Sequence, residues 1–186
     1  MEEYGGWTKT IVAKDDGLHY ITMDIIETFH EEMYAAPFDK ESDYDDVIKW
    51  THECMKKLEE SKIYPDFKIM NINGREISWA MKSYDKDFLL LFEENPNKWF
   101  PIIKQQLPGM IKELIDIGMM HDDLALRNIM ADSDGKLHFI DYNAIRLLDK
   151  TNLYFDYLKL DFDLNNIGKK QIKKFISELT KLFIQT

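Results

Sequence analysis

Residues 118 to 143, GMMHDDLALRNIMADSDGKLHFIDYN, set polar and charged side chains where the local pattern calls for apolar ones. His121, Asp122, Asp123 and Asn128 follow directly on a hydrophobic helical run, and Asp141 ends an apolar strand-like run. Asp123 and Asn128 are five apart, and Asp141 follows Asn128 by thirteen. Between them Ser133-Asp134-Gly135 is a turn signal, so NIMAD (128–132) and KLHFID (136–141) form a small hairpin whose end returns beside the loop. Two carboxylates and an amide converging from a loop and a strand end can hold a hard divalent cation, which takes oxygen ligands. A further carboxylate beside that cation can accept a proton from a hydroxyl. These are the parts of phosphoryl transfer, in which catalysis is mostly positioning and charge neutralisation. Taken singly, each residue has a plainer reading: Asp134-Gly135 is turn chemistry, and an Asp at a strand end is usually solvated. The joint match of residue types and two separate spacings lifts the set above those readings.

The rest of the chain can support such a site. Its 186 residues are 45% apolar and 13% aromatic, enough to bury a core. The formal charge of -10 and the pI near 5.0 argue against a nucleic-acid partner or an anionic membrane surface, where Lys and Arg would dominate. Cys54 is the single cysteine, so there is no internal disulfide framework. On a helix it reads as an ordinary small core residue. With no apolar run near 18 residues and no signal peptide, the expectation is a soluble, cytoplasmic protein of a reducing compartment without a membrane span. Delivery into another cell as an effector stays open.

The first third reads as strands: WTKTIVAK (7–14), the turn DDG (15–17), LHYITMDIIETF (18–29) and MYAAPF (33–38), three short antiparallel strands. ESDYDDVIKWTHECMKKLEES (41–61) has Ser42 and Asp43 as candidate N-caps and Val47, Trp50, Cys54, Met55 and Leu58 at helical spacing. FKIMNI (67–72), Asn73-Gly74 and REISWAMK (75–82) make the clearest hairpin. DFLLLF (87–92) is short, and residues 95–117 form the longest helical pattern, which Pro108-Gly109 kinks or divides and Gly118 stops. Near the end, Ile172, Phe175, Ile176, Leu179, Leu182 and Phe183 share one helical face, with the lysines of KKQIKKF solvated opposite. The junction between sheet-rich and helix-rich parts falls near 82–85, an α+β, two-lobe plan.

His121-Asp122-Asp123-Leu124-Ala125-Leu126-Arg127-Asn128 resembles the catalytic loop H-R-D-L-x-x-x-N of the protein kinase-like superfamily, and Asp141-Tyr142-Asn143 stands where that family has D-F-G. The resemblance implies a single kinase-like domain over 1–186, with a small antiparallel-sheet N-lobe (about 1–82), a hinge (about 81–85) and a mainly helical, shortened C-lobe (about 86–186). It implies ATP and Mg²⁺ as cofactors, Asp123 as catalytic base, and Asn128 and Asp141 as magnesium ligands, with His121 a structural residue of the loop. By the same resemblance Met81 to Tyr84, with Met81 and Lys82 foremost, contact adenine, and Glu53 is the helix-C glutamate. Asp163-Leu164-Asn165-Asn166-Ile167-Gly168 is similar to the start of the helix that buries an aspartate under the catalytic loop. The likeness spans roughly 10–180 but is specific only from 118 to 141.

Its departures fall mainly in the N-lobe. Between the first two expected strands, Lys14-Asp15-Asp16-Gly17 has one glycine where the family keeps a glycine-rich phosphate loop. With MYAAPF as third strand, Pro37 occupies the position of the phosphate-binding lysine; with TIVAK-DDG-LHYITM as the second and third strands, that position falls near Met23. Neither carries charge, so a displaced lysine substitutes, Lys14 first and Lys40 next, or the phosphate clamp is lost and Glu53 has no ion-pair partner. Asp122 replaces the Arg of regulated kinases and would repel an activation-loop phosphate. Arg127 can supply positive charge near the γ-phosphate, as in the D-L-A-A-R-N form of the loop, or be a surface residue. No A-P-E segment appears between Asp141 and Asp163, so the peptide-substrate platform is mostly missing, as in compact atypical kinases.

Three functions follow. One is a minimal ATP- and Mg²⁺-dependent phosphotransferase acting on a hydroxyl-bearing acceptor, protein or small molecule. A second is a pseudokinase module that works through a regulatory protein partner. The third is a structural α+β protein with a coincidental loop.

Overall fold

The computed structural model describes residues 2–5, 9–13, 16–32, 43–64, 66–84, 86–121 and 125–147. The chain divides into two compact units, Met1–Ser83 and Tyr84–Thr186.

The first unit is built on a five-stranded antiparallel sheet. Its strands are β1 (Glu2–Gly5), β2 (Lys9–Ala13), β3 (Leu18–Asp24), β4 (Lys68–Asn73) and β5 (Glu76–Lys82), in the order β1-β2-β3-β5-β4. β3 and β5 pair over seven residues, from Leu18 opposite Lys82 to Asp24 opposite Glu76. Since directly opposed side chains share a face, Ile11, Ile21 and Trp79 form one row of the sheet, and Ile21 and Trp79 are buried. β4 closes one edge, with a register shift between Ile69 and Asn71 that leaves Met70 exposed.

Two helices complete this unit. α1 (Ile25–Glu32) starts where the sequence pattern expects the strand from residue 18 to run on to 29. Asp24 is the reason: its carboxylate accepts from the amides of Ile26 and Glu27, both at 3.0 Å, which caps the first turn. Burial raises the pKa of Asp24, but the hydrogen bond from Arg75 and those two amides outweigh it and hold the carboxyl below its ordinary value. α2 (Tyr44–Ser61) has Asp43 as its N-cap, accepting from Asp45 N–H at 2.8 Å, and buries Val47, Cys54, Met55 and Leu58. The expected strand 33–38 and the lysine candidate Lys40 lie outside the described residues.

β1 is a strand the sequence pattern did not announce, and it renumbers the sheet. The Lys14–Gly17 turn joins the second and third strands rather than the first two, so the expectation of a phosphate loop there is corrected in its topology. The described residues of the turn also do structural work. Asp16 accepts from Leu18 N–H at 3.1 Å and Tyr20 O–H at 2.8 Å. Gly17, at φ 77°, turns its carbonyl to the amide of Ser83 at 2.9 Å, and Ser83 Oγ meets His19 Nε2 at 3.1 Å.

In the second unit α3 (Phe88–Glu94) follows the two-residue strand β6 (Lys86–Asp87), and the Asp87 carboxylate caps it. α4 (Pro96–Asp116) is 21 residues long and buries Trp99, Ile103, Leu107, Ile111 and Leu114 along one stripe. Pro108-Gly109 does not divide it. The carbonyls that Pro101 and Pro108 leave without an intrahelical donor belong to Asn97 and Lys104, both at exposed positions, where solvent access lowers the cost of the lost bonds. Gly118 ends the helix at φ 69°, its amide on the Ile115 carbonyl at 2.8 Å. Beyond it come β7 (Met119–His121), β8 (Ile129–Ala131), β9 (Leu137–Phe139) and β10 (Ile145–Leu147); β6, β8 and β9 form one small sheet, and β7 pairs with β10. Among the described residues no helix is long and apolar enough to cross a membrane. The expected helices at 163–168 and 172–183 lie outside the described residues.

Candidate functional site

The second unit gathers its polar residues at the ends of these short strands. His121 closes β7, fully buried, with its ring against Phe139 at 5.2 Å between centroids. Its Nε2 lies 2.9 Å from the Ile140 carbonyl; a carbonyl can only accept, so Nε2 carries the proton. That ring is a bracket between the loop's start and the residue before Asp141, which suits the structural role the resemblance implies.

Ala125 and Leu126 bury themselves next, and a single 3₁₀ turn, Leu126–Asn128, closes through Asn128 N–H to Ala125 O at 2.9 Å. Asn128 is buried and Arg127, its neighbour, is exposed. The Asn128 carbonyl accepts from Ile140 N–H at 2.9 Å, which joins the loop to the end of β9. The β8–β9 hairpin enforces this meeting: Ile129 pairs with Phe139 and Ala131 with Leu137. Gln106 on α4 holds the turn, its amide donating to Gly135 O at 3.0 Å and its carbonyl accepting from Leu137 N–H at 2.8 Å. Asp132 accepts from the amides of Asp134 and Lys136 and faces His138 at 3.1 Å. Burial lifts its pKa, yet the His138 hydrogen bond and the two amides keep it below the usual carboxylate value.

Asp141 is half-buried and left-handed, at φ 62° and ψ 52°. An L-residue with a Cβ adopts this at a cost of roughly 1–2 kcal/mol, least for Asn and Asp. The conformation starts a 3₁₀ turn, Tyr142–Ala144, closed by Ala144 N–H to Asp141 O at 2.9 Å. The chain then enters β10, where Ile145 lies opposite His121. Arg146, one residue on, is buried; sequence reasoning passed over it, since a single Arg in an apolar stretch signals no direction.

The structure thus ties both Asn128 and His121 to Ile140, the residue before Asp141. Asp123 and its neighbours Asp122 and Leu124 lie outside the described residues, between the buried His121 and Ala125. Asn128 and Asp141 present an amide and a carboxylate, oxygen donors that fit magnesium. Among the described residues no group of three or more His, Cys, Asp and Glu forms a metal-binding cluster.

The fold can be compared with known proteins on this basis. No family model matches the chain, and no curated protein matches it. Among solved structures it is similar to a co-crystal of WbdD with the kinase inhibitor LY294002, at a TM-score of 0.54 over 87% of this chain. The chain shares its fold with part of WbdD. Identity is 15% and the chain covers 37% of that protein's length, so the likeness is one of fold.

In the first unit Gly17, Met81 and Lys82 meet at one end of the β3–β5 ladder, where Leu18 is opposite Lys82, His19 is opposite Met81 and Ser83 N–H donates to the Gly17 carbonyl at 2.9 Å. Met81 is buried in β5 and Lys82 exposed at its end. Gly17 sits in the β2–β3 turn, with Lys14 outside the described residues. Glu53 is exposed, adjacent to the buried Cys54.

Proposed function

We propose that this chain is a minimal ATP- and Mg²⁺-dependent phosphotransferase that passes the γ-phosphate to a hydroxyl acceptor. The observation that carries it is the meeting of buried Asn128 and left-handed Asp141 through the Ile140 amide and the Asn128 carbonyl. A left-handed Asp141 next to a residue bonded to the buried Asn128, at the end of a braced hairpin, supports reading the pair as a metal-phosphate site.

In this reading Asn128 and Asp141 hold the magnesium, which would neutralise charge on the nucleotide's phosphates. Asp123 accepts the proton of the acceptor hydroxyl as its oxygen bonds to the γ-phosphorus and the bond to ADP breaks. Arg127, exposed on the 3₁₀ turn, offsets charge on the transferring group. Met81 and Lys82 are assigned to adenine contact by the resemblance, and Glu53, Lys14 and Gly17 to the nucleotide's phosphate side. His121 keeps the loop in register with Asp141. The test is a thermal shift of the whole chain at millimolar Mg·ATP, followed by transfer from radiolabelled ATP to candidate acceptors. A ligand that binds only the folded state raises the melting temperature by mass action; no shift for the wild type overturns the reading.

One observation favours a second reading, a pseudokinase module acting through a protein partner. By the resemblance the phosphate-binding lysine falls near Met23, which is buried and uncharged, and Glu53 is exposed. Mg·ATP binding with no transfer to any acceptor would support it.

A further inference from the structure

We infer that Gln106 on α4 is a positioning residue for the proposed magnesium ligands Asn128 and Asp141, an inference that rests on the phosphotransferase reading. Its side chain meets the β8–β9 hairpin 29 and 31 residues further along the chain. It donates to the Gly135 carbonyl at 3.0 Å and accepts from Leu137 N–H at 2.8 Å. A carbonyl only accepts and an N–H only donates, so this contact needs a donor and an acceptor on one side chain. Glutamine has both. An ionised glutamate lacks the donor, asparagine is a methylene shorter, and an aliphatic residue has neither.

The hairpin needs such an outside reference. Its ladder is three pairs long, from Ile129 opposite Phe139 to Ala131 opposite Leu137, and a two-stranded ribbon is at best marginally stable alone. On its other flank β8 meets the two residues of β6. The contact of His138 with Asp132 at 3.1 Å ties the hairpin to itself. Gln106 ties it to a 21-residue helix, between the buried Ile103 and Leu107, so packing fixes the backbone that carries the amide.

The Gln106 contact also selects a register. Among the described strands β9 is the outer one of its sheet, and Leu137 turns its amide outward to Gln106. Ile140, three residues on, turns its amide inward to the Asn128 carbonyl at 2.9 Å. Successive amides of a paired strand alternate between its two flanks, so fixing Leu137 outward fixes Ile140 inward. A slip of one residue would exchange the faces of β9, take the Ile140 amide off Asn128 and change the side on which Asp141 leaves the hairpin. The spacing of Asn128 and Asp141 is therefore set in part at the hairpin's far end, by a side chain that touches neither.

Mg²⁺ titrations at fixed ATP, read by thermal shift on the full chain, test this with wild type, Gln106→Met, Gln106→Glu and Lys112→Gln. Lys112, exposed on the same helix and paired with Asp116, is the control. Loss of a group that orients metal ligands costs about 10- to 100-fold in metal affinity. The inference expects the Mg²⁺ requirement to rise by that much in Gln106→Met, less in Gln106→Glu, which keeps the Leu137 bond, and not at all in Lys112→Gln. Saturating Mg²⁺ should then restore the wild-type response to ATP, a recovery that a collapsed hairpin would not allow. Hydrogen exchange at the Ile140 amide, followed by NMR without nucleotide, should quicken in the same order. If wild type responds to Mg·ATP and Gln106→Met needs no more Mg²⁺, the inference is overturned while the phosphotransferase reading survives. A raised requirement with unchanged exchange at Ile140 also overturns it, because the effect would not pass through the hairpin. Should Gln106→Met fail to fold, Gln106→Glu carries both comparisons. Absence of any wild-type response removes the reading and the inference together.

Discussion

In the unit ending at Ser83, strands pair over ladders of four to seven residues, and the polar side chains that matter to the fold cap turns and helices. In the unit beginning at Tyr84, strands are two or three residues long. Yet the buried polar or charged residues among those described, His121, Asn128 and Arg146, all belong to this second unit. A buried polar group destabilises unless satisfied, and His121 and Asn128 meet that need by bonding the Ile140 carbonyl and amide. The difference teaches where to look for chemistry: the regular ladders are built for stability, and the proposed site falls among the interrupted ones.

The largest effect tests the regular side. Trp79, almost fully buried in the Ile11–Ile21–Trp79 row, should cost about 3–5 kcal/mol on truncation to Ala, read from urea denaturation. A loss under about 1 kcal/mol would mean the ladder's core is not what holds that unit. Next comes Asp141→Asn. Asn tolerates the left-handed backbone, so folding should stay near wild type while phosphotransfer falls roughly 10²–10³-fold, as for loss of one preorganised charge-stabilising group. Equal transfer by this variant would dissolve the contrast between the units.

His121→Leu is smaller and sharper. It leaves the Ile140 carbonyl without its donor and should destabilise by about 1–3 kcal/mol, measured by the shift of the urea midpoint. An unchanged midpoint would show that the buried imidazole is only filling space. The smallest effect lies in the first unit, at Asp24→Asn, which keeps the helix cap and removes the charge opposite an exposed Arg75. Because the folded pKa of Asp24 is lowered, the carboxylate's contribution is present above the unfolded value, about 3.9, and disappears as pH falls through the folded one. Stability of wild type minus variant should therefore shrink with acidification across that window; a constant difference would deny the Arg75 partnership any electrostatic share.

Much of the regular structure was legible because it obeys local rules. Asn73-Gly74 marked the β4–β5 hairpin, and Asp43 with the Val47–Leu58 spacing marked α2. The switch from β3 to α1 was hidden by Ile25 and Ile26, which prolong an apolar β-branched run. The contrary signal, an Asp three residues before Glu27, was present but weaker than the run. β1 is four residues without alternation, and only its pairing with β2 reveals it. The hairpin that ties Asn128 to Ile140, beside Asp141, was legible because the Ser133-Asp134-Gly135 turn signal lies between two short apolar runs.

The shift at Met70 has a consequence for how molecules of this protein meet one another. Among the described strands β4 ends the sheet, and Glu59 covers part of its rim by accepting from Ile69 N–H at 2.8 Å; the rest is the kind of rim on which a second chain could add itself and begin a fibre. An irregular step halfway along, together with the charged Lys68 at its start, interrupts that template. Straightening the step by deleting Met70 should make the protein stickier at high concentration, visible as light scattering well below its melting temperature.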